Sequence, residues 1–363
     1  MPKLLFIRYK KSKDILEGGE QGSQKNYNVL SRILGEDNIS VIYVHDENKR
    51  KTAWSYLFGI FWFFRGYYFG LSTMKVEGIV AIAQDFDYVF IDRSVFGIIA
   101  KKLSLSGYKG QIICFFHNVE VPYFKAKIPK WAPWRPLVLR CVDKNDRYCC
   151  QYADKIIALN QRDEKELIKR YRRQADVLVP VAFKDKLLHE PDKQAMTGKI
   201  LSCLFLGAYF KPNNEGVKWF LQQVYPYVNI KMTIVGKGMS KLKEELAIPK
   251  EVEVHSNVPD LFPYFEEADV MIFPIFEGSG MKVKTCESLM YGKNIIATTE
   301  AFEGYELEYD KAGGLCNTRE EFIAKIREFE ENQRPRFNTY SRSQFLEKYS
   351  EEVVVAKFEE VLK

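Results

Sequence analysis

Short apolar runs alternate with longer amphipathic segments along most of the chain. Each apolar run in the first half is followed by a helix-like or loop segment, which is typical of βαβ units and a parallel sheet. The predicted strands of this half are Lys3–Arg8, Ile39–Val44, Tyr88–Ile91, Gln111–Phe116, Asp154–Leu159 and Val177–Val181.

A second series of the same kind begins near residue 200. Its predicted strands are Leu201–Leu206, Lys231–Val235, Val252–His255, Val270–Ile275 and Asn294–Ala297. Between the two series, residues 184–199 are polar, lack periodicity and contain Pro191 and Gly198, which predicts a linker. The sequence therefore predicts an α/β fold of two Rossmann-like domains, residues 1–183 and 200–344, whose parallel sheets face each other across a cleft.

The last segment, residues 345–363, has the pattern of an amphipathic helix. Its apolar positions predict core contacts by Tyr349, Val353, Ala356 and Val361.

Composition narrows the class of protein. The 363 residues are 46% hydrophobic and 28% charged, as in soluble globular proteins. A net charge of +6 is too mild for a nucleic-acid-binding protein and suits a phosphorylated substrate or an anionic membrane. Seven scattered cysteines without a C-x-x-C pair favour a reducing cytosol, and four isolated histidines give no metal-ligand spacing. We expect no bound metal or cofactor.

The N-terminus begins directly with a predicted strand and has no signal-peptide pattern, so we expect a cytoplasmic protein. Residues 54–71 are rich in aromatic residues but contain Arg65 and three glycines, which argues against a transmembrane span. Basic residues 49–51 precede this segment. Two interpretations remain: a helix lying in an anionic headgroup layer, or a buried core helix.

The segment with the most chemical information is Gly278-Ser279-Gly280, which precedes a predicted helix. Open backbone N–H groups and the helix dipole at such a turn favour phosphate. Lys282 and Lys284 add two mobile cations, and Glu287 lies about two turns further on, where it can accept hydrogen bonds from ribose hydroxyls. These groups suit a nucleotide diphosphate, although a solvated helix face has a similar pattern.

Further polar and glycine residues follow the predicted strands, where ligands bind in doubly wound sheets. In the first domain they are Gly18, Gly19, His117, Asn118 and Glu120, and in the second Gly207, Lys211, Asn214, Gly236 and Val258. A surface loop at Gly18, a structural histidine at position 117 and a helix cap at Asp260 are the simpler alternatives.

The second domain resembles retaining glycosyltransferases of the GT-B fold, group 1 or family 4, in the branch with the motif G-S-G-x-x-x-K-x-x-E. The motif is matched by Gly278-Ser279-Gly280, Lys284 and Glu287, and a strand follows at Ile295–Thr298 as in the family. Phe205-Leu206-Gly207 and Pro212-Asn213-Asn214 also fit. The first domain matches only at Gly18-Gly19, at residues 117–120 and at Asp154–Leu159.

The resemblance implies transfer of a sugar from a nucleotide diphosphate sugar, with UDP as the favoured nucleotide, to an acceptor hydroxyl, with retention and without a metal. It implies catalytic roles for Lys284, His117 and Glu287, and a sugar or acceptor side at His117, Asn118 and Glu120. The C-terminal helix would pack back on the first domain. The implied donor site comprises Gly18, Gly19, Gly207, Lys211, Asn214, Gly236, Val258, Glu277, Gly278, Ser279, Gly280, Met281, Lys282, Lys284 and Glu287.

Two departures from the family pattern shift the expected roles. Ala208 and Glu215 stand where relatives carry basic residues that bind the diphosphate, so Lys284 is the favoured replacement. Glu277 and Glu287 lie two residues further apart than in the usual E-x7-E motif, which leaves the role of Glu277 open.

A lipid-linked acceptor would explain the exposed aromatic positions expected at Trp54, Phe61, Phe64, Trp131 and Trp134. The hypothesis is a peripheral enzyme of capsule or exopolysaccharide synthesis on the cytosolic face of the plasma membrane. Two alternatives remain: a GT-B nucleotide-sugar 2-epimerase, and a non-catalytic partner of a polysaccharide-assembly enzyme. The oligomeric state stays open.

Overall fold

The chain divides into two compact units. The structure, a computed structural model, describes residues 1–10, 18–45, 61–187, 189, 200–278, 280–332 and 334–363. Unit 1 comprises Met1–Pro180 and Val354–Lys363, and unit 2 comprises Val181–Val353. The division falls a few residues before the predicted linker.

Unit 1 contains a six-stranded parallel sheet with strand order β2-β1-β3-β4-β5-β6. The strands are β1 (Leu4–Lys10), β2 (Ile39–His45), β3 (Tyr88–Ile91), β4 (Gln111–Phe116), β5 (Lys155–Ala158) and β6 (Val177–Leu178). The helices are α1 (Gly18–Leu34), α2 (Thr73–Ala83), α3 (Gly97–Leu105), α4 (Glu120–Lys127), α5 (Arg135–Tyr152) and α6 (Gln161–Tyr171).

The central strands of unit 1 are apolar on both faces because helices cover both sides of a parallel sheet. Residues 4–7 and 112–116 are buried without interruption. Phe6 and Phe90 stack on one face with ring centroids 5.2 Å apart. The strand order reverses between β1 and β3, so the topological switch point of the sheet lies between these two strands.

Unit 2 contains a second parallel sheet of six strands, in the order β12-β11-β10-β7-β8-β9. The strands are β7 (Leu201–Leu206), β8 (Ile230–Gly236), β9 (Glu253–Ser256), β10 (Val270–Phe273), β11 (Asn294–Ala297) and β12 (Gly313–Leu315). The helices are α7 (Lys211–Gln223), α8 (Leu242–Glu245), α9 (Phe262–Glu267), α10 (Val283–Met290), α11 (Tyr309–Ala312), α12 (Arg319–Asn332) and α13 (Thr339–Gln344).

Two helices have glycine or proline in their first turn. Gly18 and Gly19, for which a surface loop was one alternative, are the first residues of α1. Helix α7 begins at Lys211, and Pro212 occupies a first-turn position where proline favours helix initiation.

Strand β12 was not expected, since Gly313 and Gly314 are poor strand formers. The backbone of Gly313 passes so close to Ile295 that a Cβ atom there would overlap the Ile295 backbone. Glycine is required at this edge for close pairing with β11.

The C-terminal segment is not one continuous helix. Residues Phe345–Tyr349 form a π-helical turn, Ser350 is extended, and α14 then runs over Glu351–Val361. The burial of Tyr349 and Val361 is confirmed, but Val353 is half-buried and Ala356 is exposed. The break at Ser350 resets the helical phase, so Val354 and Phe358 take the buried positions instead.

The end of α14 belongs to the core of unit 1. The Phe358 ring lies against Phe90, with centroids 5.9 Å apart, and against Phe115 at 6.5 Å. The Tyr88 hydroxyl donates a hydrogen bond to the carbonyl oxygen of Leu362 at 2.6 Å.

The start of the predicted linker is anchored within unit 2. The backbone N–H of Phe183 donates to the carbonyl of Tyr349, at 3.1 Å. The Arg342 guanidinium forms a bidentate pair with Asp185, at 2.9 and 2.6 Å, and also donates to the carbonyl of Met290. Phe183 and Asp185 therefore have fixed partners in unit 2, whereas residues 188 and 190–199 lie outside the described residues.

Candidate functional site

The glycine segment of unit 2 leads into a helix N-terminus, as the pattern predicts. Helix α10 begins at Val283, and Lys282 at its N-cap supplies no side-chain cap. Gly280 has a φ of 67°, a left-handed conformation that favours glycine. Ser279 lies outside the described residues. The turn thus directs a helix N-terminus and its positive dipole toward this end of the sheet.

Lys282 is not the mobile cation that the sequence suggested. Its Nζ atom lies 2.6 Å from Oε1 of Glu300 and donates to the carbonyl oxygen of Gly280 at 2.8 Å. The Tyr305 hydroxyl in turn donates to the Lys282 carbonyl at 2.7 Å. These contacts connect the glycine segment to Glu300 and Tyr305, so Lys282 stabilises the conformation of the turn.

Lys284 has a different environment, next to the carboxyl ends of β7 and β10. Its ammonium donates to Oδ1 of Asn213 at 2.7 Å and lies 4.5 Å from the ring centroid of Phe205 and 5.5 Å from that of Phe273. Within the described residues no carboxylate lies within 4.0 Å of this ammonium. Ring faces attract the cation but do not neutralise it.

This environment makes the ammonium easy to deprotonate. Burial, and to a smaller extent the positive charge of Lys282, lower the pKa of Lys284 to about 7. An anion placed beside the side chain would restore the charged form, because an opposite charge favours ionisation. Lys284 is therefore a cation that lacks a counter-ion until an anionic ligand arrives.

Asn213 is a site residue that the sequence analysis did not select. Its Oδ1 accepts from Lys284, and its Nδ2 donates to the carbonyl of Ala208 at 2.8 Å. The predicted Asn214 is buried, and its Oδ1 accepts from the backbone N–H of Phe210, which stabilises the start of α7. The two asparagines look equivalent in sequence. On helix α7 their side chains point in different directions, so Asn213 contacts Lys284 and Asn214 contacts the backbone of Phe210.

Gly207 and Gly236 end neighbouring strands and fit together closely. A Cβ atom on Gly207 would lie 2.8 Å from Nδ2 of Asn213 and 2.9 Å from Nζ of Lys284. A Cβ atom on Gly236 would overlap the carbonyl oxygen of Gly207. Both glycines are therefore required for the close approach of backbone and lysine.

The remaining predicted donor residues of unit 2 differ in exposure. Burial raises the pKa of Glu287 despite the opposing charge of Lys186, and the carboxyl is half-buried on the first turns of α10. The other residues follow strands β7, β9 and β10 along the chain. Lys211, Glu277 and Gly278 are exposed, Val258 is half-buried and Met281 is buried. Their roles in ligand binding stay predictions.

In unit 1 a buried carboxylate gathers several donors at the carboxyl ends of β3 and β4. Asp92 accepts hydrogen bonds from the hydroxyl of Ser23, from Nδ2 of Asn26 at 3.0 Å and from Nε2 of His117 at 3.3 Å. Burial alone would raise the pKa of Asp92, but His117 and Ser23 lower it below its usual value. Sequence reasoning missed Asp92, Ser23 and Asn26 because α1 brings them together over long sequence distances.

His117 is fixed by its surroundings. Its ring packs against Phe115 with centroids 4.6 Å apart, and a Cβ atom on Gly22 would lie 3.1 Å from Nδ1. With Nε2 bonded to Asp92, the ring is held on both edges and is only 9% exposed. Gly18 and Gly19 lie one turn before Gly22 on α1.

Glu120, expected on the acceptor side, forms a buried pair with Asp146, whereas Asn118 is half-buried. The backbone N–H of Glu120 donates to Oδ2 of Asp146 at 2.9 Å. Burial, together with the charge of Asp146, raises the pKa of Glu120 to about 8, and burial raises the pKa of Asp146 to about 7. The pair therefore retains a proton at neutral pH.

Unit 1 also carries an exposed aromatic face. We use this name for residues 61–70 and 123–135, which meet where Tyr68 lies 6.3 Å from Phe124. Phe63, Tyr67 and Leu71 are buried in the core. Trp54 lies outside the described residues. The outward side chains of this face are Phe61, Phe64, Phe69, Trp131 and Trp134, with Trp131 77% and Phe64 66% exposed.

Within the described part of residues 54–71, the burial of Phe63, Tyr67 and Leu71 agrees with the core interpretation for those positions. Contact with a headgroup layer stays a prediction. Throughout the described residues, no helix is both long enough and apolar enough to cross a bilayer.

The sequence of unit 2 matches a known family. The family model for glycosyl transferases group 1 covers residues 201–332, which include β7, Lys284 and α12. Unit 2 carries a group 1 glycosyltransferase domain. No curated protein sequence matches the chain.

Solved glycosyltransferase structures share the fold over the whole chain. Anabaena HepE in complex with UDP-glucose has a TM-score of 0.66 and 12% identity, covering 100% of this chain and 99% of its own. The lipopolysaccharide outer core galactosyltransferase WaaB has a TM-score of 0.67, 14% identity and 99% coverage of both chains. Sucrose-phosphate synthase from Thermosynechococcus elongatus has a TM-score of 0.70 and 12% identity, covering 99% of this chain and 98% of its own.

At these identities the similarity establishes the fold of the chain and no more. It is GT-B, with two Rossmann-like lobes that correspond to units 1 and 2, and the predicted fold class is confirmed.

Proposed function

We propose that this glycosyltransferase moves a sugar from a nucleotide diphosphate sugar, with UDP as the favoured nucleotide, to a hydroxyl of a glycan acceptor. The observation that carries the proposal is the ammonium of Lys284, which has an amide rather than a carboxylate as its hydrogen-bond partner among the described residues. Lys284 lies in the first turn of α10, at the helix N-terminus, where an anion is favoured. The UDP and UDP-glucose complexes of HepE support the choice of nucleotide.

The chemistry asks the protein to stabilise a departing diphosphate and an oxocarbenium-like sugar. Lys284 and the α10 N-terminus would stabilise the diphosphate, because fixed cations and N–H dipoles act strongly in a partly dry site. Glu287 would accept hydrogen bonds from the ribose hydroxyls. Transfer would retain the anomeric configuration, with the leaving phosphate taking the acceptor proton, and would need no metal.

Ligand-induced stabilisation tests the donor. Thermal unfolding would be followed with UDP, GDP and ADP, since a ligand at 100 times its dissociation constant stabilises by about 2.7 kcal/mol. UDP should raise the midpoint most, and Lys284→Met should reduce the rise to about half or less. Lys243→Met, which removes an exposed lysine of α8, is the matched control. If none of the three nucleotides stabilises the protein, the proposed donor site is wrong.

Incubation with the nucleotide sugar alone separates transfer from 2-epimerisation. A transferase at most hydrolyses the donor slowly, whereas an epimerase converts it without an acceptor. Conversion to an epimer would replace the proposed reaction while leaving the donor site intact.

We further propose that the acceptor is lipid-linked and that the enzyme acts at the cytosolic face of the plasma membrane, in cell-surface polysaccharide synthesis. The aromatic face supports this proposal, because exposed tryptophan and phenylalanine beside lysine and arginine suit an anionic interface. Arg65 and Lys144 lie at this face, with the Lys144 ammonium 3.3 Å from the carbonyl of Arg65.

Sedimentation with anionic vesicles tests the membrane proposal. The double variant Phe61→Ser, Phe64→Ser should lose most vesicle binding. Leu105→Ser removes an equally exposed apolar side chain at the end of α3 and should bind as the parent does. Equal sedimentation of both variants, or none by the parent, would contradict the proposal.

A further inference from the structure

Two arginines of unit 1 share a single carboxylate. Nη2 of Arg93 lies 2.8 Å from Oε1 of Glu20, and Nη2 of Arg8 lies 3.6 Å from Oε2 of the same residue. Arg8 and Glu20 are buried, whereas the Arg93 side chain is 25% exposed. Two like charges held on one carboxylate repel each other in a medium of low dielectric constant.

The other contacts of these arginines leave hydrogen-bonding capacity unused. Arg8 donates to Oε1 of Gln24 at 2.8 Å and to the Glu20 carbonyl at 3.3 Å, both neutral acceptors. The Arg93 guanidinium lies 5.8 Å from the ring centroid of Tyr9. Across the described residues, the buried Nε atoms of both arginines have no acceptor. A buried donor without a partner is unfavourable, so an acceptor that reached either guanidinium would be stabilising.

The nearby carboxylate of Asp92 does not complete the pairing. It lies close enough to Arg93 to interact electrostatically, but both of its oxygens accept hydrogen bonds from other side chains. Those donors are Ser23, Asn26 and His117.

The position of the arginines in the fold is that of a ligand site. Arg8 lies near the carboxyl end of β1 and Arg93 directly follows β3, so they flank the switch point of the sheet. Ligands of doubly wound sheets bind outside the carboxyl ends of the strands at this point. Glu20 is the third residue of α1, a 17-residue helix whose positive N-terminal end faces the same region.

We propose that Arg8 and Arg93 bind an oxyanion carried by the acceptor. The chemistry fits the diphosphate of a lipid carrier or the carboxylate of an acidic sugar, because a planar guanidinium binds both groups in a bidentate way. Arg93, the more exposed of the two, would contact the oxyanion directly. The buried Arg8 would attract it electrostatically without touching it. The inference rests on the proposed function, since Lys284 of unit 2 is there assigned to the donor diphosphate.

The test uses calorimetry on the full chain saturated with UDP, so that the proposed donor site is occupied. The probes are inorganic pyrophosphate, farnesyl diphosphate and glucuronate. Arg93→Gln should raise the dissociation constant of the bound probe by about tenfold or more, the effect of losing one charge-assisted hydrogen bond. Arg140→Gln, on the exposed side of α5, is the matched control and should change it less than about twofold.

A second variant, Arg93→Lys, keeps the positive charge but loses the bidentate guanidinium. It separates a loss of binding from a loss of folding. It should fold as the parent does, bind UDP normally and still lose affinity for the probe several-fold. Binding of farnesyl diphosphate that depends on Arg93 would identify a lipid carrier, and Arg93-dependent binding of glucuronate would identify an acidic sugar.

The outcomes separate the two proposals. If UDP binds but no probe does, or if probe binding is unchanged in Arg93→Gln, the oxyanion site is wrong while the donor site stands. If UDP itself fails to bind, the proposed function fails and the acceptor assignment falls with it.

Discussion

The Nζ atom of Lys284 donates a 2.7 Å hydrogen bond to the side-chain oxygen of Asn213, an amide that fixes the ammonium without neutralising it. Lys282, two residues earlier, shows the contrasting arrangement, since its charge is paired with Glu300 at 2.6 Å. The two lysines of one motif therefore have different roles: Lys282 closes the turn, and Lys284 keeps its charge available for a ligand.

We predict that Lys284→Met impairs donor binding far more than folding. Loss of one charge-assisted hydrogen bond, worth roughly 1.5–3 kcal/mol, should raise the dissociation constant of UDP by about tenfold to a hundredfold. The free energy of unfolding should change by less than about 1 kcal/mol, since removing a partly desolvated ammonium offsets the lost bond to Asn213. Calorimetry and urea unfolding measure the two effects, and a large loss of stability with normal binding would contradict the assignment.

We predict that UDP binding takes up a proton above pH 7. The pKa of Lys284 is lowered to about 7 in the free protein, and a bound diphosphate would raise it again. Affinity should therefore fall as the pH rises above about 7, by up to about tenfold per pH unit. Calorimetry at about pH 8, in two buffers of different ionisation enthalpy, counts the proton. In Lys284→Met this uptake should disappear; its persistence would assign it to another group.

Substitutions at the two strand-end glycines should separate binding from stability. In Gly207→Ala the new methyl group meets the movable ends of Asn213 and Lys284, so UDP binding should weaken while stability falls by about 1 kcal/mol. In Gly236→Ala it meets the Gly207 backbone, so stability should fall by about 3 kcal/mol.

Gly78→Ala provides the control for these alanine substitutions. A Cβ atom at this position in α2 would meet nothing within 4 Å, so alanine should stabilise the helix by about 0.5–1 kcal/mol. Urea unfolding of the three variants measures their free energies of unfolding, which should decrease from Gly78→Ala to Gly207→Ala to Gly236→Ala. Equal values for Gly207→Ala and Gly236→Ala would contradict the larger cost expected from the backbone overlap at Gly236.

We predict that unit 1 loses stability as the pH rises through neutrality. The pKa of Glu120 is raised from 4.5 to about 8, so the folded protein holds a proton that the unfolded chain has released. Stability therefore falls between about pH 4.5 and 8. Glu120→Gln, which keeps the shape and cannot ionise, should unfold at a higher temperature than the parent near pH 8.5 and at a similar temperature near pH 5. The exposed Glu359→Gln should follow the parent at both pH values.

The strand pattern and the glycine turn before α10 could be predicted from sequence because their signals are local. Strands Tyr88–Ile91 and Leu201–Leu206 have the predicted bounds, since continuous apolar runs mark strands that are buried on both faces. The helix start near Val283 follows from the glycine turn before it. The buried positions predicted for Val353 and Ala356 were wrong, because Ser350 interrupts an apolar pattern that looks continuous in the sequence.

The chemistry of unit 1 could not be predicted in the same way. Asp92 and Asn26 are 66 residues apart in sequence, and only the packing of α1 on the sheet joins them. The contacts of Glu20 with Arg8 and Arg93 depend on the same helix. Clusters of residues that are far apart in sequence cannot be recognised from local patterns. The proposed donor motif can, because it lies within ten residues, from Gly278 to Glu287.

The return of residues 354–363 to unit 1 has a consequence for biosynthesis. Phe358 and Val361 complete the hydrophobic core of unit 1, but they follow the whole of unit 2 along the chain. Unit 1 therefore cannot reach its final packing until unit 2 has been synthesised, even though its first 180 residues emerge before unit 2. Unit 2, a continuous stretch of chain, needs none of residues 354–363. The order of synthesis is thus the reverse of the order in which the two cores can be completed.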